Sequence, residues 1–284
     1  MEYLEIFNKE CALDVDGPVC TPKKEQKKIE NLIHAEKIAG IDMGKIKKEG
    51  LMPALKYHYN CPTEDCVLTQ EEIIKELGVD KVASILKTYF KPLGPKDTTE
   101  WYSDKNIDET LNQLARKFDD EENKFYHVPF QMRDFQEKRT ELTTMDWEKK
   151  YAKGYRTFGV AINTDYSRGR GEHWFAIFGD FRDNAPEFTV EYFNSSGELP
   201  LPEISSWLKD FKNKVKLHKP IKDVIVTRLV NQSNNYACGT YTVSYNAVRL
   251  CGLDYKWFAK NKLGDKLMGI VRNNNFRNNN RYNI

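Results

Sequence analysis

No segment of this chain approaches the roughly eighteen consecutive apolar residues that a membrane-spanning helix needs. Its first ten residues, MEYLEIFNKE, also lack the apolar stretch of a signal peptide, so a soluble, intracellular protein is expected. Charge of either sign is not in excess. Against 44 Lys and Arg stand 42 Asp and Glu, and a formal charge of +2 gives no strong pull toward nucleic acid or a membrane surface. Cysteine is scarce: six in 284 residues are too few for a disulfide scaffold, and all six are expected to be thiols. Cys61 and Cys66, with His58 in HYNCPTEDC, suggest zinc, but the spacing is wide and no second Cys/His pair accompanies them, so no metal is expected. Cys251, in the apolar context VRLCG, is expected to pack as a small hydrophobe. The composition that is present, 40% hydrophobic and 12% aromatic, excludes a disordered chain.

Organisation changes at one point. The first hundred residues, roughly, read as helical and lysine-rich. Thr21, Pro22 and Glu25 form a helix start, Ile29, Leu32 and Ile33 an apolar stripe, and Gly40 a stop. Thr69 and Glu72 repeat the capping signature ahead of Ile73 and Ile74, and Gly78 ends that helix. The densest Pro/Gly break, KPLGPKD, then marks a boundary between a helical arm domain (1–95) and a second domain (96–271). That second part begins with a helix through Ile107, Leu111, Leu114 and Phe118. It continues with strand-like runs FGVAINT (158–164), HWFAIF (173–178), EFTVEYF (187–193) and VIVTRLV (224–230), and with helices around 204–215 and 240–250. The fold class is therefore α+β, a mixed sheet with flanking helices. The last thirteen residues, 272–284, are Asn-rich and are expected to form a mobile tail.

Chemistry concentrates in the second part. Cys238-Gly239 stands just ahead of a helix-like segment, with Gln232 six residues upstream. His173 follows a Gly-Arg-Gly turn and opens a strand-like run, and Asn194 closes the next one. A thiol attacks as thiolate, and its free pKa of about 8.5 leaves little anion at neutral pH. A helix N-terminus and a neighbouring His173 are both expected to help, the latter by taking the proton. Asn194 is positioned to fix the imidazole ring through its amide oxygen, and Gln232 to donate to an oxyanion. Asn163, Trp174 and Gly239 are expected to line the substrate cleft, Gly239 because a side chain there would crowd the approach of the substrate. Each residue singly has a bland reading as core, turn or loop. The ordered set, with every polar member at an element end, points to a cysteine hydrolase that needs no metal or organic cofactor.

The same residues carry a likeness. His-Trp, then an acid or amide after a strand, then Gln and Cys-Gly resembles the Ulp1/SENP-like clan of cysteine proteases, which includes the adenovirus protease. QSNNYACG follows the deSUMOylase spacing, although Ala237 and Asn194 stand where those enzymes usually carry Asp. INTDYSRGRGEHWFAIFGDFRD, VEYFNSSG and NIDETLNQLARKF are similar to segments of the polyprotein-processing protease family of African swine fever virus, across most of 100–250. The resemblance implies a papain-like/Ulp1-like core beside a helical arm, and a Cys238, His173, Asn194 triad with Gln232 as oxyanion residue. It also implies cleavage of viral structural polyproteins at Gly-Gly-Xaa sites during virion maturation, at assembly sites in the host cytoplasm and in the virion. Membrane and nucleic-acid partners are not required by the sequence. A deSUMOylase or deubiquitinase shares this chemistry, and a non-enzymatic scaffold would not need the four polar residues intact.

Overall fold

The strand-like runs read from the sequence become the centre of one sheet. The computed structural model describes residues 2–95, 97 and 99–277. The chain divides into two compact units, one of residues 1–7 and 97–273 and one of 8–96 and 274–284.

The larger unit is built on a six-stranded mixed sheet. Its strands are β1 (Phe125–His127), β2 (Gln131–Met132), β3 (Thr157–Asn163), β4 (Trp174–Asp180), β5 (Phe188–Phe193) and β6 (Ile221–Ile225). β4 runs antiparallel to both β3 and β5; β1 and β2 add in parallel to β3, and β6 to β5. Every residue of β3, β4 and β5 is buried, which is why β3 and β4 read as nearly continuous apolar runs instead of alternating ones, while β5 buries Thr189 and Glu191 as well. One face carries Phe158, Val160, Ile162, Ile177 and Val190 against Trp147 and the helix Pro202–Lys214.

The other face receives a single helix, Cys238–Leu250, all thirteen residues of which are buried. Small residues make this possible. A Cβ at Gly159 would lie 2.0 Å from Asn246 Oδ1 and 2.8 Å from the Phe125 ring, so a larger residue on β3 at that point would have to displace both side chains. Phe193 stacks on Tyr245 at 4.3 Å, and the sheet answers two of the polar groups the helix brings inside, Arg249 and Tyr245. Arg249 donates to Asp180 and to both oxygens of Glu191, and the Tyr245 hydroxyl donates to Glu191 at 2.6 Å. Arg182 closes the cluster on Asp180. Burial alone would raise the Asp180 carboxyl, but Arg182 and Arg249 hold it below the usual range.

The smaller unit packs short helices around Leu55, Val67, Ile73 and Ile85. Four cysteines expected as thiols are paired there, Cys11 with Cys20 and Cys61 with Cys66. Cys61 and Cys66 sit only five residues apart, and the turn into the helix Glu64–Leu68 folds one back on the other. Their sulfurs are spent on each other, which removes them as metal thiolates. Cys238 and Cys251 are the free cysteines among the described residues.

Other differences from the sequence reading have local causes. Thr21 does not cap its helix; Pro22 precedes Lys23–His34, and the Thr21 hydroxyl donates to buried Glu64 instead. Thr69 likewise bonds back to the Cys66 carbonyl, and Gln70 precedes the helix Glu71–Leu77. The last strand starts three residues earlier than expected and stops at Ile225, because the chain then leaves the sheet for the loop ahead of Cys238. Residues 2–7 form a turn of 3-10 helix that belongs to the larger unit, not to the arm. The expected tail also begins inside a helix, Asp265–Asn275, with Arg272 and Phe276 buried. Its last part, 278–284, lies outside the described residues.

Candidate active site

Four element ends converge. His173 immediately precedes β4, Asn194 follows β5, Cys238 opens the central helix, and Gln232 lies in the loop leading to it. Pairing of β4 with β5 sets His173 beside Asn194, and the ring Nε2 lies 2.7 Å from Asn194 Oδ1. The assignment of that amide follows from its neighbours. The Ser196 backbone N–H can only donate, and it meets Oδ1 at 3.0 Å, while the amide nitrogen faces the Tyr192 hydroxyl at 3.1 Å. Oδ1 is therefore an acceptor, so His173 Nε2 carries the hydrogen and Nδ1 keeps its lone pair. Nδ1 makes no hydrogen bond among the described residues.

Cys238 is 1% exposed. Its thiol is pushed above the ordinary value by burial, against the pull of backbone N–H groups of Trp174, Gly239 and Cys238 itself and of the Arg272 charge. The Trp174 N–H places the sulfur beside the start of β4. The helix N-terminus, expected to help lower the thiol, does pull in that direction through backbone N–H groups, but taking the side chain out of water outweighs it.

The loops are stapled together. Asn231 and Gln232 both donate backbone N–H to the Ser195 carbonyl, and Ser195 Oγ donates to Gln232 Oε1 at 2.8 Å. Gln232 Nε2 gives one hydrogen to the Asn234 carbonyl at 2.6 Å, leaving its second for a ligand. Asn234 Oδ1 in turn accepts from the N–H groups of Tyr236 and Ala237, setting the entry to the helix. The turn after Asn194 needs Gly197, whose φ is +73° and whose Cβ would sit 2.7 Å from the Arg228 carbonyl oxygen.

The arrangement also has relatives. No family model matches the chain. A protein named as the SUMO-1 cysteine protease of African swine fever virus (isolate Pig/Kenya/KEN-50/1950) is 31% identical over 295 residues, covering 98% of each chain. This chain belongs to the African swine fever virus cysteine protease family. A crystal structure of the African swine fever virus protease shares the fold, with a TM-score of 0.76, 29% identity and coverage of 95% of this chain and 96% of that one. A more distant relative, named as a thiol protease of Acanthamoeba polyphaga mimivirus, is 22% identical over 293 residues and covers 92% of this chain and 93% of that one.

Within this viral cysteine protease, the residues expected at the cleft have distinct surroundings. Asn163 is 1% exposed, and its Oδ1 accepts from the N–H groups of Asp165 and Glu172, both at 2.9 Å. It ties the two ends of the loop that delivers His173, where a substrate contact was expected. Trp174 is held by a bond from Nε1 to the Tyr102 carbonyl at 3.1 Å, with its ring edge-on to Phe130. At Gly239 the crowding comes from within the protein: a Cβ would lie 2.6 Å from Tyr102 Cβ. Tyr192, Ser195, Ser196 and Tyr102 escaped the sequence reading. The runs EYFNSSG and EWYS offered only turn and aromatic residues, and nothing local marks which polar atoms will face one another.

Proposed function

We propose that this cysteine protease is an endopeptidase with Cys238 as nucleophile, His173 as base, Asn194 as the residue that orients the base, and Gln232 as oxyanion donor. Its substrates in this reading are viral structural polyproteins cut after Gly-Gly, at assembly sites in the host cytoplasm and in the virion. The observation that carries the reading is the 2.7 Å bond from His173 to an asparagine whose amide orientation its neighbours fix.

The chemistry follows from that tautomer. His173 Nδ1 takes the Cys238 proton as sulfur attacks the scissile carbonyl, and Asn194 keeps the imidazolium aligned. The spare Gln232 hydrogen and the N–H groups at the start of the central helix receive the oxyanion. As the C–N bond breaks, His173 returns its proton to the leaving amine. Water, deprotonated by His173, then adds to the thioester and releases the carboxylate and the thiol. The thiol is raised by burial, so proton transfer to His173 is integral to attack. In H173A, alkylation of Cys238 should need alkaline pH, above the ordinary thiol range.

Two substitutions separate the roles. Asn194→Asp still accepts the ring N–H and should retain substantial activity, whereas Asn194→Ala frees the imidazole and should lose more. Equal behaviour in steady-state assays would remove Asn194 from the orienting role. Gln232→Ala should lower kcat by roughly two to three orders of magnitude with a smaller change in KM. An effect confined to KM would make it a substrate-positioning residue.

Cleavage after Gly-Gly follows if a slot walled by Trp174 and Phe130 admits glycine backbone but no Cβ. Replacing the glycine at the scissile bond by alanine then displaces the carbonyl from attack geometry. The name of the African swine fever virus relative, SUMO-1 cysteine protease, supports a second reading in which a ubiquitin-like tail is the substrate. The test compares kcat/KM on a Gly-Gly-Xaa peptide, its Gly-to-Ala variant and a SUMO fusion. Efficient cutting of the alanine peptide overturns the slot, and a strong preference for the fusion favours the second reading.

A further inference from the structure

Arg272 lies on the helix Asp265–Asn275, in the stretch whose composition reads as tail, yet it is 6% exposed. One terminal nitrogen, Nη2, donates to the carbonyls of Asp97 (3.1 Å) and Glu100. The other, Nη1, is buried and has no hydrogen-bond partner among the described residues. Nor does the guanidinium form an ion pair among them. The Arg272 charge is felt at the Asp97 carboxyl, which is exposed to solvent and whose Oδ1 accepts from the Thr99 and Glu100 N–H groups. A permanently charged group buried without a counter-ion is costly, and proteins keep such groups where a negative charge will meet them.

The surroundings indicate where that charge arises. The guanidinium carbon is 5.1 Å from the centre of the Tyr102 ring and 5.8 Å from that of Tyr236. Tyr102 packs directly against Gly239 and accepts the Trp174 indole N–H, and Tyr236 is two residues before the nucleophile. Two aromatic rings thus seat the cation at the base of the Cys238 helix.

We propose that Arg272 is a positioning residue of the active site, a fixed cation set behind Cys238 that stabilises negative charge on the sulfur. The proposal rests on the reading of Cys238 as nucleophile. It accounts for a buried guanidinium with an unused donor, and for the Asp97 and Glu100 carbonyls that hold it. After burial and the three backbone N–H groups, Arg272 is the charge that acts on the Cys238 thiol, in the direction that favours thiolate. Its role is steady through catalysis, because arginine does not titrate in the working range.

The test uses the full chain carrying Cys251→Ala, so that iodoacetamide reports on Cys238 alone, with intact mass giving the alkylation rate against pH. Two neutral variants, R272Q and R272M, are made so that at least one melting cooperatively can be read, with R272K as the charge-keeping control. The neutral variants should move the alkylation midpoint up by about one pH unit and lower kcat about tenfold at neutral pH, with KM within about twofold. R272K should bring the midpoint most of the way back. A cooperatively folded neutral variant with an unchanged midpoint overturns the role of Arg272 and leaves the nucleophile standing. Peptide cleavage by Cys238→Ala overturns the reading on which the proposal rests.

Discussion

Cys238→Ala should abolish peptide hydrolysis while leaving the melting temperature close to that of the parent. The substitution removes one sulfur atom from a site that is 1% exposed, so the volume lost is small, whereas the nucleophile is lost completely. His173→Ala should be about as severe, since members of such a unit fail together, with losses that reach about 10⁶-fold in kcat for comparable enzymes. Cys251→Ala is the contrast: Cys251 lies at the far end of the same helix, its thiol pushed up to about 11 by burial, and the variant should stay active. Burst-phase assays with a Gly-Gly ester, run beside thermal melts, distinguish these outcomes. Measurable turnover by Cys238→Ala, or loss of turnover by a folded Cys251→Ala, would reassign the nucleophile.

Arg249→Met should be the most destabilising single change in the larger unit. Arg249 joins Asp180 and Glu191, both under 4% exposed, and truncating it leaves Glu191 charged inside the protein with only Thr189 and Tyr245 as donors. Removing one partner of a buried ion pair typically costs about 3–5 kcal/mol, which lowers a melting temperature by roughly 10 °C in a domain of this size. The pH dependence has a definite sign. Arg182 and Arg249 depress the Asp180 carboxyl, so its stabilising contribution is present above the ordinary carboxylate range and is lost as pH falls through its folded value. Arg249→Met should shrink that acid-side loss because part of the depression is already gone. Urea melts from pH 7 down to pH 3 measure both effects. An unaltered midpoint at neutral pH would mean that the cluster relaxes by admitting water.

These residues also separate what is legible in a sequence from what is not. The three central strands were readable because both faces of β3, β4 and β5 are covered, which leaves mainly apolar, β-branched and aromatic runs, with Thr189 and Glu191 as the buried polar residues inside β5. His173, Asn194, Gln232 and Cys238 stood out in the sequence because each lies at an element end or in a loop leading to one, where the chain changes from apolar to polar. Helix starts were less reliable. Thr21 and Thr69 have capping residue types, but tertiary and local partners, Glu64 and the Cys66 carbonyl, took their hydroxyls. The two disulfides were not readable, because six cysteines among 284 residues do not state which approach one another.

Sequence by itself therefore determined the elements, their order and the chemistry available, since periodicity and residue type are local properties. Tertiary structure alone decided the state of each group. Pairing of β4 with β5 chose the His173 tautomer by presenting Asn194 Oδ1, fixed by Ser196 and Tyr192, to Nε2. Packing of Tyr102 against Gly239 gave that glycine its reason, and burial raised the thiol that a helix N-terminus would have lowered. Arg272, read as tail, became a buried cation because a helix running through it carries it to Tyr102 and Tyr236. Desolvation and hydrogen-bond partnership depend on neighbours distant in the chain, and one-dimensional spacing does not encode them.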